Sequence, residues 1–161
     1  MSWKSNFTDR AEDALDGARL ALRRRPTALT TAELLRAMDE SGPSLARGVM
    51  TALDANVSEI LARATALASE RGAELPSRRL RTRPAALEMI IRRAVEEASL
   101  LGHRIVGSEH LLLAIISVHD DPTTCALREA GITQDTVRGT LRRLLLSWTD
   151  DGIPRPRVSA A

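Results

Sequence analysis

Apolar residues recur at helical spacing through most of the chain, and polar residues and helix breakers interrupt them at intervals. In the first half they form four stripes, each of which marks one face of a helix. Residues that suit helix N-caps precede three of the stripes: Thr8, then Thr30 or Thr31, then Asn56. The stripes are Ala11, Ala14, Leu15, Ala18 and Leu22; Leu34, Leu35 and Met38; Leu45, Val49, Met50 and Leu53; and Ile60, Ala64, Leu67 and Ala68.

The second half repeats this order of helices. Residues 84–98 reproduce the first stripe, Gly102 ends that helix, and Ser108 and Thr133 are predicted to cap the second and fourth helices. The duplication predicts an all-α fold, a pseudo-twofold tandem repeat of two four-helix units packed as one eight-helix bundle. Equivalent positions lie at a constant offset, one residue shorter in the first helix: Ala32 with Glu109, Met50 with Leu127, Asn56 with Thr133, and Ile60 with Val137.

The same patterns predict the boundaries of the two units. Residues 7–71 form the first repeat and residues 84–148 the second, with residues 1–6 as an N-terminal segment. Residues 72–83 contain glycine, proline and several arginines without apolar periodicity, which indicates a linker. Residues 149–161 contain two prolines and no apolar stripe, so we expect a disordered tail.

The composition excludes several classes of protein. Apolar residues make up 43% of the chain but aromatic residues only 2%, which favours a helical interior of Leu, Ala, Ile and Val. Cys125 is the only cysteine, so neither an intrachain disulfide nor a cysteine-based zinc site is expected. The sequence has no apolar run of membrane-spanning length and no signal-peptide core, which predicts a cytoplasmic protein without a membrane partner.

Four segments of the chain resemble a known family. Residues 7–11 (Phe-Thr-Asp-Arg-Ala), 101–103 (Leu-Gly-His), 106–113 (Val-Gly-Ser-Glu-His-Leu-Leu-Leu) and 131–132 (Gly-Ile) are similar to the repeat motifs of the N-terminal domain of Clp-type AAA+ unfoldases, the ClpC class in particular. The resemblance covers residues 7–148. It implies a double four-helix repeat that binds protein substrates and adaptors, and in some members phosphoarginine or cyclic-peptide antibiotics.

The chain also departs from the family pattern. No Gly-x-x-x-x-Gly-Lys-Ser/Thr phosphate loop occurs, so ATPase modules are absent and we expect a stand-alone module that is not an enzyme and needs no cofactor. In the first repeat, residues 30–33 (Thr-Thr-Ala-Glu) replace the family's Gly-Thr-Glu-His. Either Ala32 or Glu33 then stands at the family glutamate, and the following leucines favour Ala32. Arg83 replaces the family's aromatic residue at the start of the second repeat.

Glu109 is the main candidate for ligand binding. An acid in the first turn stabilises a helix by about 0.3–1 kcal/mol through the helix dipole, which explains Glu109 without any ligand. The resemblance implies that its carboxylate accepts a guanidinium, while Ser108 and free N–H groups at the helix start hold an attached phosphate. His110 completes this predicted site, and Thr31, Ala32 and Glu33 form its counterpart in the first repeat.

The remaining candidates have simpler explanations. Phe7 suits a hydrophobic staple onto the first helix, although the resemblance also makes it, with Arg83, a wall of a peptide cleft. His103 and His110 lack a third ligand at a recognisable spacing, so we predict structural roles and no metal site. Cys125 is expected to be a buried thiol. The arginine runs alternate with acids, which favours solvated helix faces over nucleic-acid binding.

These observations leave several partners open. The leading hypothesis is a module that binds substrates, adaptors or phosphoarginine-marked proteins and regulates a full-length Clp ATPase or protease complex. The alternatives are sequestration of cyclic-peptide antibiotics and arginine-mediated binding of nucleic acid.

Overall fold

The computed structural model describes residues 6–26, 28–71 and 83–147. Within these ranges the chain forms eight helices, and the predicted all-α fold is confirmed. The helices are α1 (Asp9–Arg24), α2 (Thr30–Glu40), α3 (Leu45–Ala52), α4 (Val57–Glu70), α5 (Arg83–Leu100), α6 (Ser108–Ile116), α7 (Pro122–Glu129) and α8 (Gln134–Ser147). The predicted tail (149–161), most of the predicted linker (72–82) and residues 1–5 lie outside the described ranges.

Several helix ends agree with the sequence prediction. Thr8, Asn56 and Thr133 each accept a hydrogen bond from the backbone N–H three residues later, as an N-cap does. Gly102 and Gly131 follow α5 and α7 with φ of +73° and +79°, the left-handed conformation that ends a helix.

The predicted caps of α2 and α6 were wrong. The N-cap positions are Leu29 and Gly107, and neither offers a side-chain acceptor. Thr31 and Ser108 lie inside the first turns of their helices, where their hydroxyl groups are buried and bond to the other repeat. The sequence indicated helix starts at the right places, but it could not show that tertiary contacts had already engaged these hydroxyls.

The duplication is visible in which positions are buried. Many buried residues of the first repeat have a buried counterpart at the predicted offset in the second, and the offset is one residue shorter for α1 and α5. The pairs include Leu15 with Ile91, Ala18 with Ala94, Leu34 with Leu111, Leu35 with Leu112, Met50 with Leu127, and Ile60 with Val137. The two units therefore present the same faces to one core.

The repeats interlock rather than lie side by side. Within each repeat the first two helices pack together, α1 on α2 and α5 on α6. The last two helices of each repeat pack mainly on the other repeat, α4 on α7 and α3 on α8. The buried side chains of both units form one continuous cluster. None of the described helices is both long enough and apolar enough to cross a membrane.

Candidate functional site

The predicted site lies at the start of α6. Gly107 is the N-cap, and Ser108, Glu109 and His110 form the first turn, where all three are buried. The turn is closed by His110, whose Nδ1 accepts a hydrogen bond from the Gly107 N–H at 2.8 Å. This contact is the half of a capping box in which the N3 side chain accepts from the N-cap N–H.

His110 has a defined hydrogen-bonding role. Its Nδ1 is an acceptor, so the ring proton of the neutral form lies on Nε2 and points to His103 Nδ1 at 2.8 Å. The two rings meet edge to face with centroids 5.0 Å apart. Burial, and then the nearby His103, lower the pKa of His110 to about 4, so the ring is neutral at physiological pH. His103 Nδ1 thus pairs with a side chain of the same site.

Glu109 is buried more deeply than a simple first-turn acid requires. The residue is 6% exposed, and its carboxylate lies over Gly107, in space that a Cβ would occupy. Oε1 is 3.3 Å from His110 Nδ1, but that nitrogen is an acceptor and carries no proton to share. Among the described residues no arginine forms an ion pair with Glu109. Burial raises the pKa of Glu109, opposed by a hydrogen bond from its own backbone amide.

His103, Glu109 and His110 offer ligand atoms that lie within 4.8 Å of one another. Two histidines and a carboxylate are a common zinc set. Here, however, His103 faces Nε2 of His110, while Glu109 faces Nδ1, which already accepts the Gly107 N–H. One ion cannot use both edges of the same ring, so this arrangement is a hydrogen-bonded cluster rather than a formed coordination sphere.

The first repeat contains a different arrangement at the corresponding place. Ala32, equivalent to Glu109, is half-buried and brings no carboxylate. Glu33, equivalent to His110, is 4% exposed, and its Oε2 accepts a hydrogen bond from Arg25 Nη2 at 2.9 Å. Arg36 Nε lies 4.0 Å from the same oxygen. An ion pair to the turn after α1 thus replaces the histidine pair of the second repeat.

Thr31 and Ser108 contact the other repeat. Thr31 Oγ1 lies 2.9 Å from both Asp121 Oδ2 and Thr123 Oγ1, at the start of α7. Ser108 Oγ accepts a hydrogen bond from the Ala46 N–H at 3.1 Å, at the start of α3. Both hydroxyl groups are therefore already engaged in the interface between the repeats.

The predicted cleft walls are only partly described. Phe7 is 9% exposed, and its segment pairs with the loop before α6 as a short parallel bridge. Thr8 N–H donates to Val106 O at 3.0 Å, and Val106 N–H donates to Asn6 O at 2.7 Å. Arg83 is the first residue of α5, and its side chain lies outside the described part of the structure.

Sequence reasoning missed or misjudged two residues. Cys125 is half-buried rather than buried, with Sγ 3.5 Å from Arg71 Nη2. Asp121 caps α7 with bonds from the N–H groups of Thr123 and Thr124, and burial raises its pKa against these bonds and the one from Thr31. The Asp-Pro pair at the start of α7 was the available signal, because proline favours the first helical position after a capping residue.

The fold and this site define a duplicated helical domain whose repeats interlock, with α4 packed on α7, α3 on α8, and hydrogen bonds from the second helices between them. A family model described as the Clp repeat N-terminal domain matches residues 6–130 and again 83–151. The chain belongs to this family, a group of non-catalytic, generally protein-binding domains. A search of curated proteins gave no match to the chain.

Proposed function

We propose that the chain is a peptide-binding module that receives an arginine side chain, free or phosphorylated, at the start of α6. The observation that supports this is the contrast between the two buried acids. Glu33 has Arg25 as an internal guanidinium partner, whereas Glu109 has none among the described residues. A buried carboxylate is costly unless a charge or hydrogen-bond donor satisfies it. An incoming guanidinium would supply that partner through two parallel hydrogen bonds.

Binding at this site requires the Glu109 side chain to change its conformation. The carboxylate lies over Gly107 and is nearly covered, so in the proposed complex the Glu109 side chain rotates outward to meet the ligand. The raised pKa of Glu109 adds a second requirement, because only the ionised form accepts a guanidinium ion fully. Binding near the raised pKa should therefore release a proton.

Isothermal titration calorimetry with phosphoarginine and with an arginine-containing peptide tests the proposal. Wild type should give heat, Glu109→Gln should lose it, and Glu96→Gln, which removes an exposed acid of α5, should retain it. Titrations in two buffers of different ionisation enthalpy report the released proton. No heat in wild type, or equal heat in Glu109→Gln, would overturn the arginine site.

The proposed partners are substrate or adaptor proteins, and the proposed role is regulation of a Clp ATPase or protease complex. A pull-down with wild type beside Glu109→Gln compares the captured proteins directly. The burial of Phe7 does not favour cyclic-peptide binding, because it leaves little of the ring exposed to a ligand.

A further inference from the structure

A cleft of similar size lies in each repeat, between the ends of its second and third helices and the start of its fourth. The cleft of the first repeat has a volume of about 390 Å³ and that of the second about 370 Å³. We call them cleft 1 and cleft 2. Their linings correspond through the duplication: Asp39 with Ile116, Thr51 with Arg128, Asn56 with Thr133, Val57 with Gln134, and Ser58 with Asp135. The duplication thus places a cleft at the corresponding end of each repeat, and cleft 2 is also lined by Arg93 of α5.

The two clefts carry opposite charge. Cleft 1 is lined by two acids, Asp39 and Asp54, and by one arginine, Arg47. Cleft 2 is lined by two arginines, Arg93 and Arg128, and by one acid, Asp135. The two clefts are similar in volume but differ in charge, and the net positive charge of cleft 2 favours an acidic ligand.

The cations of cleft 2 are available for a ligand. Arg128 is exposed and forms no ion pair with any described residue. The Arg93 side chain is held in place by Ser117, because its Nη1 donates to the carbonyl and hydroxyl oxygens of that residue. A guanidinium has five N–H donors, so this contact leaves others for the cleft.

The start of α8 forms one wall of the same cleft. Thr133 and Thr136 cap each other, which engages the N–H groups of these two residues. The N–H groups of Gln134 and Asp135 make no hydrogen bond to another described residue, and both residues line cleft 2. This wall adds donors to the arginines but does not make the site by itself.

We propose that cleft 2 binds an acidic peptide segment of a partner protein, with carboxylates on Arg93 and Arg128. The proposal rests on the chain being a protein-binding module, but it concerns a site and a ligand charge different from those at Glu109. The volume of cleft 2 exceeds what a single oxyanion fills, and Asp135 within it opposes a compact dianion. Carboxylates spaced along a peptide avoid Asp135 and reach the two arginines separately.

Fluorescence anisotropy with a labelled peptide of four consecutive glutamates, flanked by Gly-Ser, tests this at low ionic strength. Arg128→Thr installs the residue that cleft 1 has at the equivalent position, and it should weaken binding roughly tenfold through loss of a charge-assisted hydrogen bond. Arg23→Thr removes an exposed arginine at the end of α1, outside both clefts, and should change affinity less than about twofold. Circular dichroism checks that both variants keep the fold.

Three outcomes would overturn the proposal. The first is no binding of the glutamate peptide to wild type, and the second is an equal effect of Arg128→Thr and Arg23→Thr. The third is binding of inorganic phosphate as tight as that of the peptide at matched ionic strength, which would make cleft 2 a small-anion site. Glu109→Gln should leave peptide binding unchanged, so failure at the arginine site and failure at cleft 2 are separate results.

Discussion

Thr31 and Ser108 occupy equivalent positions in α2 and α6, and each places its hydroxyl group against the third helix of the other repeat. Thr31 reaches Asp121 and Thr123 at the start of α7, and Ser108 reaches Ala46 at the start of α3. The duplication in the sequence therefore appears in the structure as two equivalent hydrogen-bonded contacts, one from each second helix to the other repeat. These bonds fix where each second helix, with its candidate site residues, sits on the other repeat.

Removing either hydroxyl should destabilise the whole domain. Ser108→Ala leaves the buried Ala46 N–H without its partner, which costs about 1–3 kcal/mol. Thr31→Val removes one bond to Asp121, whose carboxylate keeps the two backbone donors of α7, and also the contact with the buried Thr123 hydroxyl, so we expect a loss of about 1–3 kcal/mol. Urea unfolding followed by circular dichroism measures both.

The control for these variants is Ser69→Ala, which removes an exposed hydroxyl that bonds only within α4. It should change the free energy of unfolding by less than about 0.5 kcal/mol. If Ser108→Ala were as mild as Ser69→Ala, the hydroxyl would not hold the repeats together.

Glu109→Gln should stabilise the domain, and more so at higher pH. Burial raises the folded-state pKa of Glu109 above its ordinary value, so its contribution to stability is present below the ordinary pKa and is lost as pH rises through the raised one. A neutral glutamine does not carry this cost. Thermal unfolding of wild type and variant between pH 4 and pH 8 should therefore show a Tm difference that grows with pH.

Asp121 also has a raised pKa, but it is present in both proteins and cancels in their difference. Glu88→Gln, at an exposed position of α5, is the matched control and should give a Tm difference that is small at every pH. A Tm difference for Glu109→Gln that stays constant with pH would mean that Glu109 is not the titrating group.

Gly107→Ala should act through Glu109. The Gly107 backbone has φ of −98°, which alanine adopts freely, so any cost comes from the overlap of the new Cβ with the Glu109 carboxylate. The flexible side chain can move away, so we expect a loss of stability of about 1 kcal/mol or less. In the Glu109→Ala background the same substitution should cost nothing. A double-mutant cycle by urea unfolding measures this coupling, and additive effects would contradict the placement of the Glu109 carboxylate over Gly107.

The contrast between the fold and the site shows what sequence can predict here. The helices were predicted because stripes such as Ala11 to Leu22 are local and periodic, and their repetition fixed the architecture. The burial of Glu109 was not predicted, because it depends on the absence of a side chain at Gly107. The neutral state of His110 was not predicted either, because it depends on burial by the core and on His103, across the α5–α6 turn.

The two clefts were missed for the same reason. No pattern in the sequence distinguishes Thr51 or Arg128, which lie near the ends of short helices. Each cleft combines side chains from separate helices, so the sequence alone does not show that Thr51 and Arg128 line equivalent clefts.

The loops after α3 and α7 share a left-handed residue at equivalent positions. Asp54 and Gly131 are equivalent, and both have positive φ, +54° and +79°. A left-handed conformation costs an L-residue about 1–2 kcal/mol, although aspartate tolerates it better than most, and it costs glycine nothing. Gly131→Ala should therefore destabilise the domain by about 1 kcal/mol, whereas Asp54→Gly should be neutral or stabilising.

Gly139→Ala is the control for Gly131→Ala. It lies within α8, where a Cβ meets nothing, and it should stabilise the domain by up to about 1 kcal/mol through helix propensity. If urea unfolding shows that Gly131→Ala lowers the free energy of unfolding and Gly139→Ala raises it, then backbone conformation, not side-chain size, requires glycine at the end of α7. A stabilising Gly131→Ala would contradict the left-handed conformation of Gly131.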